Sequence, residues 1–168
     1  MSKIELEKLI RDVPDFPKKG IIFKDIAPLL GQKFSETIDE VISLVDWKGV
    51  DSVAGIESRG FIFGAAIAQK LDLGFIPIRK KGKLPPPVFS ESYSLEYGED
   101  TLEVSTLYTK QKIIIVDDVI ATGGTLKASI KLCNKANLDI QACLALINLS
   151  FLNELNKLEI PIKSVFEY

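Results

Sequence analysis

The chain has 168 residues, 46% of them hydrophobic and 26% charged, enough for one compact domain with its own core. Its 21 basic and 23 acidic side chains leave a net charge of −2, which argues against a nucleic-acid or membrane-surface protein. Histidine is absent, so a His-based triad or a histidine zinc site is excluded, and any general acid or base is a carboxylate, Tyr, Lys or Cys.

In chain order, residues 3–11 alternate charge with apolar side chains and read as an amphipathic helix, not as a signal peptide. A Pro/Gly-punctuated stretch, 13–20, leads to a short extended piece at 21–23, and 35–44 has helical periodicity. A strand at 51–56, a helix at 60–71 and a strand at 73–78 follow. Strands are expected again at 102–108 and 112–116, a helix at 124–137, a strand at 140–147 and a last helix at 152–158. The runs "IIIV" and "ACLALI" lack polar alternation, which suits strands buried on both faces of a parallel sheet covered by helices. The expected fold is therefore α/β. The longest apolar run, 61–68, is far below the ~18–20 residues that span a bilayer, and a cytoplasmic location is expected. Cys133 and Cys143, with no pairing pattern, read as reduced core residues.

One segment does not fit the alternation. Residues 79–100, "RKKGKLPPPVFSESYSLEYGED", carry four basic side chains in five, then three prolines, then two tyrosines in an acidic setting. Loops longer than ~12–15 residues are uncommon inside a compact domain and are often functional lids. A flap is expected here.

The chemistry concentrates in "IIIVDDVIATGGT", residues 113–125. Ligands of open parallel sheets bind beyond the carboxyl ends of the strands. The tail 121–125 lies there and opens a helix. Gly123 and Gly124 let backbone approach a ligand closely. Helix-start N–H groups and the Thr122 and Thr125 hydroxyls together make an anion site. Carboxylates would repel that anion, so Asp117 and Asp118 suit hydroxyl groups or magnesium-bound water instead. Consecutive strand residues face opposite ways, so both are expected where the strand ends and the chain turns. A ribose 5-phosphate satisfies the whole pattern.

At this point the residues carry a resemblance. The stretch just described resembles the phosphoribosyl pyrophosphate (PRPP) motif of the type I phosphoribosyltransferases. With "DFPKKGIIFKDIAPLL", "GIESRGFIFGAAIA", "IRKKGKLPPP" and "ESYSLEYG" it is similar, in order, to the branch of that family that uses adenine. The resemblance implies a central, mostly parallel sheet flanked by helices, with a flexible flap and a small N-terminal hood at about 1–34, all within a single domain, 1–168. It implies transfer of a 5-phosphoribosyl group from PRPP to adenine, giving AMP and pyrophosphate, with Mg2+ held mainly by substrate oxygens and water, in a homodimer.

Carried over residue by residue, Asp117 and Asp118 would hold the ribose hydroxyls, and Ala121, Thr122, Gly123, Gly124 and Thr125 would wrap the 5′-phosphate. Glu57, Ser58 and Arg59 would form the pyrophosphate loop with a cis Glu57–Ser58 bond, and Arg59 would face the pyrophosphate, a contact the resemblance allows across a subunit boundary. Lys80 and Lys83 would cover the diphosphate from the flap, and Glu96 is the acid/base group. Phe23 would stack on the base, backbone groups of Ile22 and Lys24 would read its edge, and Leu149 would cover its other face. Asp25 is a helix cap or a ligand group. The chain departs from the pattern at Lys24, where many members have Arg. Its C-terminal "NLSFLNELNKL" departs too, with Asn148 for Glu and Glu154-Leu155 for Gly-Arg. A phosphoribosyltransferase for a 6-oxopurine and a non-catalytic PRPP-sensing regulator are the alternatives.

Overall fold

The computed structural model describes residues 3–95 and 98–168. It divides into two compact units, Met1–Ser43 and Leu44–Tyr168.

The N-terminal unit begins with a short helix α1 (Lys3–Glu7), then a two-stranded antiparallel ribbon of β1 (Arg11–Pro14) and β2 (Ile22–Asp25). The helix expected to reach residue 11 stops early because Arg11 belongs to the ribbon. It pairs with Asp25 in register, and its Nε donates to Asp25 Oδ2 at 2.9 Å. Helix α2 (Ala27–Gln32), not foreseen, follows, with a proline in its first turn where no N–H is needed. Helix α3 (Phe34–Ile42) closes the unit, with Thr37, Ile38 and Val41 buried along one stripe.

The larger unit is built on a seven-stranded sheet. Its strands are β3 (Ser52–Ile56), β4 (Gly74–Lys80), β5 (Val88–Leu95), β6 (Gly98–Ser105), β7 (Lys112–Ile120), β8 (Asp139–Asn148) and β9 (Ile162–Glu167). The order across the sheet is β5-β6-β4-β3-β7-β8-β9. The five strands from β4 to β9 run parallel, and β6 and β5 add on antiparallel at one edge. Helix α4 (Arg59–Leu71) packs on β3, β4 and β7, and α5 (Gly124–Lys135) packs on β5, β6 and β8. Every residue of β3 is buried, as are Ile113–Val116 in β7, which explains their lack of polar alternation. The α/β class and its mostly parallel sheet are as expected. No helix among the described residues is long and apolar enough to cross a membrane.

In the larger unit, three elements differ from the sequence reading. The expected flap loop is largely a β-hairpin, β5 with β6, paired from Val88↔Ser105 to Leu95↔Gly98. Its alternation of Tyr, Ser, Glu and Leu is strand patterning that the charge and proline content hid. The expected helix at 152–158 is instead two 3₁₀ turns, Ser150–Leu152 and Leu155–Lys157. Asn153 between them is fully extended (φ −140°, ψ 166°), and of the two turns only Leu155 is buried. Strand β9 was not foreseen. Its pairing with β8 supplies the order that its sparse apolar residues do not announce.

Candidate active site

The connection from β3 leads through α4 to β4 on one side of β3, while β7, β8 and β9 build outward on its other side. The carboxyl ends of β3 and β7 therefore meet at a topological switch point, where open α/β sheets bind ligands. The β3–β7 ladder ends at Gly55↔Val116. Strand β7 nonetheless runs on to Ile120, held by β8 alone. This corrects the expectation that the strand ends at the two aspartates. They sit inside the strand, and what frees them is the loss of the β3 neighbour.

The space opened there is a hollow of about 330 Å³. Glu57, Ser58, Arg59, Lys80, Asp117, Asp118 and Thr125 all line it, drawn from four separate segments. The Glu57–Ser58 peptide is cis, as the resemblance implied. A second, smaller hollow of about 100 Å³ is lined by Asp117 and by residues 119–126, so Ala121, Thr122, Gly123 and Gly124 face it. Gly123, with φ +81°, precedes α5, whose first-turn N–H groups have no intrahelical partner. A larger hollow of about 600 Å³ runs along β9 and the 3₁₀ turns, but it gathers neither the carboxylate pair nor Arg59. The two smaller hollows are the ones that carry the motif.

Charges inside the site are paired with one another. Arg59 Nε lies 2.7 Å from Asp118 Oδ2, an ion pair whose direction is off the line of a hydrogen bond, so that buried oxygen accepts none among the described residues. Asp117 Oδ1 accepts the backbone N–H of Asp118 at 2.8 Å. Burial, and after it the neighbouring Asp118 charge, push the Asp117 carboxyl well above its ordinary value. Lys80 Nζ lies 3.1 Å from Asp100 Oδ2. That hydrogen bond raises Lys80 above the ordinary lysine value. Burial of Asp100 is outweighed by Lys80 and the Thr101 N–H, and its carboxyl lies below its ordinary value. Glu57 Oε2 accepts the Lys80 N–H at 2.9 Å and faces Arg79 Nε at 3.3 Å, which secures the loop to the end of β4.

Not every candidate residue is gathered here. Lys83 is exposed in the turn after β4 and lines neither motif-bearing hollow. Glu96 lies outside the described residues. Ile22, Phe23 and Lys24 belong to β2 of the N-terminal unit. There Ile22 is exposed, Phe23 meets Phe16 edge-on at 5.1 Å, and Lys24 pairs with Asp12 at 2.7 Å. Asp25 lies one residue before the α2 N-cap, Ile26, and its Oδ1 accepts the Ala27 N–H at 2.9 Å while its Oδ2 accepts from Arg11. Leu149 is buried in the larger unit, just past β8.

Residues that the sequence did not point to also shape the site. Tyr93 and Asp100 reach it from the hairpin, with Thr125 Oγ1 donating to Tyr93 Oη at 3.4 Å. Their alternate placement on β5 and β6 was the signal, once those strands are recognised. Gly60 is a second case. A Cβ there would stand 2.9 Å from both Asp117 Oδ1 and Val116 O. Only glycine lets the start of α4 lie directly on the aspartates.

A mostly parallel sheet with a switch-point site suits a phosphoribosyltransferase as it does other open α/β folds, and residues 21–157 match the phosphoribosyl transferase domain model. The chain is 47% identical to the adenine phosphoribosyltransferase of Bdellovibrio bacteriovorus, over 98% of this chain and all of that one. Adenine phosphoribosyltransferase from Thermoanaerobacter pseudethanolicus superposes with a TM-score of 0.93 at 41% identity, covering 99% of this chain and all of the other. The Giardia lamblia enzyme complexed with 9-deazaadenine gives 0.91 at 34% identity, covering all of this chain and 98% of that one. The chain belongs to the phosphoribosyl transferase family, among its adenine phosphoribosyltransferases.

Proposed function

We propose that the chain salvages adenine by transferring a 5-phosphoribosyl group from PRPP to its N9, releasing pyrophosphate and giving AMP. The observation that carries this reading is the convergence of Glu57, Ser58, Arg59, Lys80, Asp117, Asp118 and Thr125 on one hollow beside the α5 phosphate loop.

Each chemical demand has a group of the chain to meet it. Residues 121–125 cradle the 5′-phosphate with helix-start N–H groups and two threonine hydroxyls. Asp117 and Asp118 accept the ribose hydroxyls. The orphaned Oδ2 of Asp118 is a ready acceptor once Arg59 turns to the diphosphate. Arg59 and Lys80, with Lys83 from the turn, spread positive charge over the leaving group as the C1–O bond breaks. These carboxylates also fit Mg2+ through bound water, and Mg2+, when present, neutralises part of the diphosphate charge. Ile22, Phe23, Lys24 and Leu149 hold the base. Glu96 takes the proton that adenine gives up on its N7/N9 side, a role open to a carboxylate in a chain without histidine. Bond formation to N9 and departure of pyrophosphate share an oxocarbenium-like transition state. A cytoplasmic homodimer completes the proposal.

The test is an end-point assay with PRPP and Mg2+, run separately with adenine, hypoxanthine, guanine and xanthine. AMP from adenine alone, lost in Glu96→Ala and in Asp117→Ala/Asp118→Ala, is the expected result. Product from a 6-oxopurine would move the error to the base pocket. PRPP binding without product from any base would favour the regulator. Light scattering of the purified protein reads the dimer.

A further inference from the structure

The C-terminal segment that departs from the family pattern touches the phosphate loop twice. Asn153 Nδ2 lies 2.9 Å from Ala121 O, 2.9 Å from Leu149 O and 3.0 Å from Asn148 Oδ1, three acceptors that share the two N–H groups of the amide. The Asn153 side-chain oxygen accepts the Leu155 N–H at 3.3 Å, which sets the direction of the amide. Leu155, buried at 3% exposure, packs on Gly123 so closely that a Cβ on that glycine would stand 2.9 Å from its side chain.

The β7–β8 ladder ends at Ile120↔Asn148, followed by the Leu149 N–H donating to Ile120 O at 2.8 Å. Past that point no strand neighbour among the described residues holds Ala121. Asn153 takes over, and its extended backbone between two 3₁₀ turns aims the side chain back at the loop. The 121–122 peptide is trans, because the cis bonds lie at Phe16–Pro17, Glu57–Ser58 and Pro86–Pro87. In a planar trans peptide the C=O and the following N–H point in opposite directions. A carbonyl held toward Asn153 therefore turns the Thr122 N–H the other way.

We propose that Asn153 is a positioning residue: by holding the Ala121 carbonyl outward, it turns the Thr122 N–H into the phosphate hollow and ties that loop to the Leu149 segment. This deepens the phosphoribosyl-transfer reading and rests on it for the identity of the anion. Asn153 touches no reacting atom in this scheme. It presets a donor that would otherwise be free to rotate, so the phosphate meets a loop already in its bound shape.

The test compares the unaltered protein with Asn153→Leu, which keeps the size without donors or charge, and with Asn153→Ala. Affinities for ribose 5-phosphate and for magnesium pyrophosphate are measured by calorimetry. Loss of one to two net hydrogen bonds should weaken ribose 5-phosphate by about five- to tenfold, with pyrophosphate unchanged within about twofold. In the assay, KM for PRPP should rise by the same factor, with kcat falling much less. Equal weakening of both ligands, or no loss for ribose 5-phosphate, overturns the proposal. A further arm uses the unaltered protein alone and covers variants that fail to fold. The Thr122 amide resonance should shift on titration with ribose 5-phosphate, and a stationary resonance overturns the assignment. If the protein makes no AMP while the ribose 5-phosphate titrations behave as stated, the transfer reading fails and the positioning role survives.

Discussion

The two halves of the active site are built in opposite ways. The loop at the β7–α5 junction, proposed to hold the 5′-phosphate, is contiguous, and the donors it offers are backbone N–H groups at a helix start. The side proposed for the diphosphate is assembled from the end of β3, the end of β4, the hairpin and β7, and its cations already rest on carboxylates of the same chain. One half is preorganised and open to an anion. On the other, binding must exchange Arg59–Asp118 and Lys80–Asp100 for contacts with the ligand. The local half can be read from neighbours in sequence, and the self-neutralised half only from the fold.

The largest effect expected from breaking this contrast is at Asp117. Asp117→Asn keeps an acceptor for the Asp118 N–H but removes a charge, and activity should fall by about 10²–10³-fold. The same change should raise Tm at neutral pH by about 2–4 °C for each kcal/mol relieved. The sign follows from the raised carboxyl. An unfolded chain releases this proton near pH ~3.9, whereas the folded chain holds it to higher pH. Stability is therefore lost as pH rises through that window. The kcat/KM for PRPP should in turn fall as pH drops through the raised value, because the protonated carboxyl is a poorer acceptor. A melting temperature that does not rise in the variant would mean that burial of Asp117 costs the fold nothing.

Next in size is Gly60→Ala. The added methyl must displace α4 from Val116 O and Asp117 Oδ1, at a cost of about 1–3 kcal/mol by chemical denaturation. Arg59 should move with it, so kcat/KM for PRPP should fall as well. Gly31→Ala is the control, since a Cβ there meets nothing within 4 Å and its helix should gain about 0.4–1 kcal/mol.

A smaller effect sharpens the ion-pair side. Asp100→Asn releases the Lys80 ammonium to the diphosphate. Because the Lys80 side chain is 55% exposed, the gain is screened, and KM for PRPP should drop by only about two- to fivefold. In a Lys80→Gln background the drop should vanish, since the cycle isolates the pair. An equal drop in both backgrounds would assign the effect to the charge of Asp100 alone.

The smallest expected effect lies away from both halves. Burial pushes the Cys133 and Cys143 thiols up to about 12. Iodoacetamide should label neither in the folded protein at pH 8 and both after denaturation. Labelling of the native state would show that α5 opens locally over β8.

Much of the fold is legible where local pattern and tertiary role agree. The run Ile113–Val116 is apolar without alternation because it is covered on both faces, and α4 and α5 appear within a few residues of their expected bounds. The hairpin was hidden because Pro85, Pro86 and Pro87 and the lysines before them look like loop, while its strands are stabilised by pairing with each other and with β4. The C-terminal helix failed for the converse reason. Its residues tolerate helix, but Asn153 gains more from extended backbone that satisfies carbonyls left over at the end of the β7–β8 ladder.

The sequence by itself determined the Gly-rich loop, the aspartate pair and the α/β class, because each is written in adjacent residues or in a short-range period. Only the tertiary structure decided that Arg59 rests on Asp118, that Gly60 lies against Asp117, that Asp100 holds Lys80, and that Asn153 reaches Ala121. These are contacts between segments brought together by strand order and by where each ladder stops. No local propensity encodes that meeting, because its free energy comes from burial and hydrogen bonding that exist only once the sheet is assembled.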